Sequence, residues 1–154
     1  MFLGAHTLNV DAKGRIAVPA RFRERLSDLC GGKLVITVNI DIDTPSLLVY
    51  PHPEFQRIEA ALRELPTFDK KSQVLNYLII GHAHESDMDS QGRLLLPQTL
   101  REHAGLDKQA VLIGQSSKFE IWQAEAWHAR REQMFQEAAE LRSNPSDALR
   151  QLAL

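Results

Sequence analysis

Apolar positions fall along this chain in short blocks, and the blocks occur twice. Ile16-Ala17-Val18 and Leu94-Leu95-Leu96 are apolar runs, each followed by a proline and then by helical spacing. Such a run, bounded by turn residues, predicts a short buried strand. Pro19 and Pro97 fit the first helical position, where the missing N–H costs nothing. After Pro19, the residues Phe22, Leu26 and Leu29 keep the three-to-four spacing of a helix with one buried face. In the second block Gly105 is placed to end the helix. Farther on, Leu47-Leu48-Val49-Tyr50 and Phe119-Glu120-Ile121-Trp122 correspond as strands, and Phe55 and Trp127 each open a helix. The stripe Phe55, Ile58, Leu62, Leu65 stops at Pro66. Val74, Leu75, Leu78 and Ile79 make a second stripe, and Trp127, Met134, Phe135, Ala138 and Leu141 a looser third. Three stripes exceed the needs of so short a chain's own core, so some are expected at subunit interfaces. Residues 143–154 predict one short amphipathic turn or a frayed end.

The blocks are copies. Residues 11–24 and 89–102 align without a gap at a constant offset of 78. Asp11/Asp89, Gly14/Gly92, Arg15/Arg93, Pro19/Pro97, Arg23/Arg101 and Glu24/Glu102 are identical pairs. Upstream, Ala5-His6 matches Ala83-His84 at the same offset. Downstream the offset falls to 72, so the first copy carries six extra residues around Asp41–Ser46, expected as a longer hairpin loop. Each half reads as β-turn-β-helix-β-β-helix, and an internal repeat of this kind decides architecture first.

Each copy begins with Asp-x-x-Gly-Arg. Glycine supplies a backbone state with φ > 0 that other residues avoid. The aspartate carboxylate can accept hydrogen bonds from backbone N–H groups just beyond it. That makes Asp11, Asp89 and Gly92 structural turn residues. The arginine beside the glycine has two readings. Arg15 can bind phosphate or read guanine bidentately, or it can pair with Asp11 and pin the turn, as Arg93 can with Asp89.

Charge separates the copies. The chain has a net charge of −2, a poor fit to a uniformly basic nucleic-acid binder. Residues 11–25, however, hold Lys13, Arg15, Arg21, Arg23 and Arg25 against Asp11 and Glu24, a net +3. The matching window 89–103 sets Arg93 and Arg101 against Asp89 and Glu102 and is neutral. A local basic patch can bind phosphate even on an acidic protein.

Other chemistries find little support. The single cysteine, Cys30, rules out an intrachain disulfide and suits a reducing cytoplasm. No signal-peptide pattern opens the chain, and no apolar run reaches the roughly 20 residues needed to span a bilayer. Glycine-rich phosphate loops and nucleophile elbows are absent. The segment His82, His84, Glu85, Asp87 invites a metal-dependent enzyme as a rival, with His82 and His84 on one strand face. Only His84 has a counterpart, His6, and no second group with ligand spacing exists. The expectation is therefore no catalytic residue, no metal site and no cofactor.

With both copies in place, Val10 through Pro19 and its repeat resemble the AbrB/SpoVT swapped-hairpin DNA-binding domains. Two copies in a chain of this length, after a Met-Phe-Leu-Gly start, resemble the MraZ family of bacterial transcriptional regulators. The resemblance runs from Met1 to about Gln136. It implies an α+β fold: two tandem swapped-hairpin β-barrel repeats forming a pseudo-dimer, with helices packed outside. The domains would be repeat 1 at 5–52, a helical connector at 53–80, repeat 2 at 81–124, and a C-terminal helix and tail at 125–154. It also implies a ring of subunits with the turns facing double-stranded DNA. On that basis Lys13, Gly14, Arg15, Arg21, Arg23, Arg25 and Arg93 are the candidate DNA contacts, with the first copy dominant because of its charge. The expected function is a cytoplasmic, nucleoid-associated regulator. It would repress its own division and cell-wall gene cluster by binding short direct repeats in the promoter, with no membrane or small-molecule substrate. The alternative is a non-enzymatic scaffold whose +3 patch binds an acidic protein.

Overall fold

The repeated block folds the same way twice in the computed structural model, which describes residues 1–41 and 43–152. The first copy gives β1 (Ala5–Asn9), β2 (Arg15–Ala17), α1 (Ala20–Cys30), β3 (Lys33–Val38), β4 (Leu47–Pro51) and α2 (His52–Arg63). Helix α3 (Lys70–Ile79) follows, its first turn capped by the Asp69 carboxylate, which accepts from the Lys71 N–H. The second copy gives β5 (His84–Asp87), β6 (Arg93–Leu95), α4 (Gln98–His103), β7 (Gln109–Gln115), β8 (Lys118–Gln123) and α5 (Ala124–Ser143). A short α6 (Asp147–Gln151) comes last.

The result is a mixed α+β unit with antiparallel strands. Six strands form one sheet in the order β1-β7-β8-β4-β3-β5. Each copy's first strand pairs with the other copy's hairpin: β1 with β7, and β5 with β3. The hairpins β3–β4 and β7–β8 meet through β4 and β8. Exchanging the copies leaves this order unchanged, as an internal two-fold requires. β2 and β6 pair separately, with Ile16 opposite Leu94.

Burial follows from the strands' position. β3 and β4 lie inside the sheet, so Leu-Val-Ile-Thr-Val and Leu-Leu-Val-Tyr are apolar without alternation. Leu34, Ile36, Val38, Leu47 and Val49 enter the main core, with Phe22 and Leu26 of α1 and Leu100 of α4. Val35, Leu48 and Tyr50 meet Phe55 of α2 and Ile79 of α3 in a second core. Thr37 is fully buried there, and its hydroxyl donates to the Ile79 carbonyl at 2.7 Å.

Local expectations differ from the structure at several points. The apolar runs make strands buried on one face only: Ile16 and Leu94 point inward, while Ala17 and Leu95 face outward. A two-stranded ladder has only one face to lay on a core. Pro19 and Pro97 occupy the position just before the helix, with ψ near 144° and 143°, rather than its first turn. Leu29 is exposed, because the core-facing line of α1 runs through Phe22, Leu26 and Cys30 and leaves Leu29 to one side. Phe55 and Ile79 are buried as expected of their stripes, but Val74 is exposed. The connection Asn39–Ser46 spans eight residues against two at Ser116–Ser117, which accounts for the change of offset. Ile42, within that connection, lies outside the described residues.

Residues up to Ala124 form one compact unit, and those from Glu125 onward a second. The second consists of most of α5 and α6. Along α5, Arg130 pairs with Glu137 at 3.0 Å and Arg131 lies 4.7 Å over the Phe135 ring. Of its stripe, Trp127 and Met134 are half-buried, whereas Phe135, Ala138 and Leu141 are exposed. The tail expected as a turn or frayed end holds α6, capped by the Ser146 hydroxyl; residues 153 and 154 lie outside the described part. Among the described residues no helix is long and apolar enough to cross a membrane.

Candidate nucleic-acid interface

Both Asp-x-x-Gly-Arg segments close into the same turn. Asp11 Oδ1 accepts from the N–H groups of Lys13 and Arg15, each at 2.9 Å, and Oδ2 accepts from Arg15 Nε at 2.8 Å. Asp89 repeats the set with Gln91 N–H at 2.9 Å, Arg93 N–H at 2.8 Å and Arg93 Nε at 2.8 Å. Gly14 and Gly92 sit at φ +83° and +74°, where a side chain would be strained. The ion-pair reading of each arginine thus holds, but the pair uses only Nε. Nothing in this geometry engages the fork of the guanidinium, the part that suits a bidentate acceptor.

Each turn is tied to the end of the other copy's strand. The Gly14 carbonyl accepts from Leu96 N–H at 2.9 Å, and the Gly92 carbonyl from Val18 N–H at 3.0 Å. The β2–β6 ladder sets Arg15 opposite Leu95 and Arg93 opposite Ala17. Because β2 and β6 are antiparallel, the two turns lie at opposite ends of this short ladder, with Lys13 exposed on the first and neutral Gln91 at the equivalent place on the second.

The aspartates make the turns acid-sensitive. The backbone N–H of Arg15 holds Asp11 below its ordinary value of 3.8, helped by the Arg15 side chain and Lys13 N–H against the opposing effect of desolvation. Arg93 and Gln91 act likewise on Asp89. A folded-state value below the unfolded one contributes stability above the unfolded pKa, and that stability is lost as pH falls through the folded value. Urea midpoints of the wild type and an Asp11→Asn/Asp89→Asn double variant should differ at about pH 6 and draw together as pH falls below 3.8. A gap independent of pH would place the stabilisation elsewhere.

The remaining candidate arginines do not gather at the turn tips. Arg21 is exposed at the start of α1. Arg25 lines a groove with Met1, Phe2, Leu29 and Glu54. That groove lies where β1 begins, whereas the first turn leaves its other end. Arg23 packs on the second copy's turn at Gly92. Its equivalent Arg101, absent from the candidate list, packs on Gly14. Their shared identity at the offset of 78 was the available signal. His82, expected on a strand face with His84, precedes β5, and its Nδ1 lies 2.9 Å from the Leu78 carbonyl. Glu85 instead approaches His52 at 3.6 Å. Among the described residues no group of three or more His, Cys, Asp or Glu could hold a metal ion.

Fold and turns together define a duplicated α+β protein with one ion-paired turn per copy, at either end of a shared ladder. The family described as "MraZ protein, putative antitoxin-like" matches residues 1–77 and 79–151, a division that falls at the repeat offset. The chain belongs to the MraZ family, which is not a family of enzymes. It is 49% identical over 154 residues, all of both chains, to the transcriptional regulator MraZ of Thioalkalivibrio sulfidiphilus. It is 48% identical over 138 residues to the protein of the same name from Alkalilimnicola ehrlichii, covering 90% of this chain and 91% of that one. The Pseudomonas aeruginosa relative, again named transcriptional regulator MraZ, is 48% identical over 132 residues, 86% of each chain. A solution structure of PHS018 from Pyrococcus horikoshii covers 79% of this chain and 88% of its own, at a TM-score of 0.35 and 15% identity, too distant to define a shared fold.

Proposed function

We propose that the chain is a DNA-binding transcriptional regulator of the cytoplasm and nucleoid. It would act as a repressor of its own division and cell-wall gene cluster. The observation that carries this reading is the pair of ion-paired turns at the two ends of the β2–β6 ladder, the first bearing an exposed Lys13 and an Arg15 bonded through Nε. Family membership and the relatives' names support it. Lys13, Gly14, Arg15 and Arg93 form the contact surface, with Arg21 flanking it; Arg25 touches DNA only if the backbone reaches the groove beside Met1. The exchanged strand pairing is read as the swapped-hairpin barrel of the resemblance. The divisions at 5–52, 53–80, 81–124 and 125–154 are kept as its parts.

Each turn alone offers few contacts, so binding requires several subunits in a ring. Once one turn is seated, the next binds at high effective concentration, provided the DNA carries short direct repeats at matching intervals. The exposed Phe68, Val74 and Tyr77 around α3 supply apolar surface for such an assembly.

Fluorescence anisotropy on the DNA upstream of the protein's own gene tests this. With three turns each neutralising about two phosphates, log K should fall with log salt at a slope of about −5. Affinity would drop on the order of a thousandfold between about 50 and 200 mM salt. A slope near zero would sink the mechanism and favour the scaffold binding an acidic protein.

A further inference from the structure

Each turn is gripped by an arginine from the opposite copy. Arg101 lies in the last turn of the short α4, and its N–H donates to the Pro97 carbonyl at 2.9 Å. Its guanidinium lies on the backbone of Gly14: a Cβ there would overlap the guanidinium carbon and stand 2.6 Å from Nε and 2.7 Å from Nη1. Arg23 does the same from α1, where its N–H donates to the Pro19 carbonyl at 2.9 Å. A Cβ on Gly92 would overlap Arg23 Cδ and lie 2.7 Å from Nη1. The positive φ calls for glycine at each place, and the arginine fills the space that the missing side chain leaves.

The grip on the first turn relies on shape. Arg101 Nε is buried and has no hydrogen-bond partner among the described residues. A buried donor without a partner costs free energy, so hydrogen bonding through Nε does not keep Arg101 there. A guanidinium is flat, weakly hydrated and suited to lie against another planar group. Together with the Gly14–Leu96 and Gly92–Val18 hydrogen bonds, the arginines hold each glycine on two sides.

We propose that Arg101 is a positioning residue for the DNA-facing turn of the first copy, and Arg23 for that of the second. The proposal rests on the DNA-binding reading above. Arg101 touches no DNA; it keeps Lys13-Gly14-Arg15 ordered before DNA arrives, so that binding carries no further ordering cost at the turn. Arg23 accordingly serves the turn rather than a phosphate.

Two measurements test it. The first is amide hydrogen exchange without DNA, on the full chain. Arg101→Ala should speed exchange at Gly14 and Arg15 by at least about tenfold and leave Gly92 and Arg93 within about twofold; Arg23→Ala should reverse the pattern. No change, or a uniform rise along the chain, overturns the grip whether or not the protein binds DNA. The second is anisotropy across a salt series. Arg101→Ala should weaken binding by about tenfold with the salt slope unchanged, since no phosphate contact leaves. Arg101→Gln, flat but uncharged, should recover most of the loss, and Arg101→Lys, charged but not flat, should recover little. A slope reduced by about 1, or full rescue by lysine, would make Arg101 a phosphate ligand and overturn the proposal. A wild type that binds no DNA while the exchange pattern holds overturns the DNA reading, and the positioning role with it, but not the grip itself.

Discussion

Arg15→Ala is expected to reduce affinity for the upstream DNA at least about a hundredfold, while Arg93→Ala reduces it less than about fivefold. The two arginines have the same local geometry, each bonded through Nε to its aspartate at 2.8 Å. The difference comes from their neighbours. Lys13 and Arg21 accompany Arg15, where the second copy has Gln91 and Thr99, and Glu85 and Asp87 precede the second turn. A bidentate arginine contact is worth about 1–3 kcal/mol, and losing it in every seated subunit multiplies the effect. Two controls separate contact from turn geometry. Arg15→Lys keeps the charge but not the fork, so it should retain salt-dependent binding and lose discrimination between sequences. Asp11→Asn disturbs the turn and leaves the cation. Equal losses from Arg15→Ala and Arg93→Ala would show that both copies engage DNA alike and that net charge does not choose between them.

Phe2→Ala should cost about 3–5 kcal/mol of stability, as for other buried aromatic truncations. Phe2 is 1% exposed although it is the second residue of the chain. Its ring meets Phe22 at 5.2 Å and Phe119 at 5.5 Å, both edge-on, and Phe22 and Phe119 are themselves 5.5 Å apart. Phe2 N–H donates to the Ser116 carbonyl at 2.8 Å, and Ser116 N–H returns to the Phe2 carbonyl at 3.0 Å. The strap passes so close to Gly114 that a Cβ there would overlap the Phe2 carbonyl and stand 2.5 Å from Leu3 N. The loss is a large share of the roughly 5–15 kcal/mol that a domain usually has. The urea midpoint should fall by about 2 M. A shift under about 0.5 M would mean that the aromatic cluster closes over the gap or that the strap contributes little.

The elements were legible because each is set by nearby residues. The Asp-x-x-Gly-Arg turn, the helix after each proline and the longer first hairpin all follow from local chemistry and from comparing one copy with the other. Strand pairing was not local. Ala5–Asn9 pairs with residues more than 100 positions away, and nothing in its own composition names that partner. The resemblance implied a swapped-hairpin pseudo-dimer but not which strands pair. The arginine grip was missed for the same reason. Arg23 and Arg101 are identical at the repeat offset, yet alignment tells which residues are equivalent, not that equivalents cross over to touch the opposite turn. Leu29 and Leu95 misled because apolar spacing alone does not say which of two adjacent apolar positions lies over the core.

The exchanged pairing of β1 with β7 and β5 with β3 also bears on how the two copies could diverge. A half of this molecule on its own would leave a hairpin without its outer strand and would need a second half to complete it. Two separate identical halves could meet that need as a symmetric pair, but a symmetric pair must present the same turn twice. Joining the halves in one polypeptide removes that constraint. Each turn can then change independently while the shared sheet stays intact. The +3 and neutral windows on one scaffold show such a difference: covalent linkage lifts an enforced symmetry.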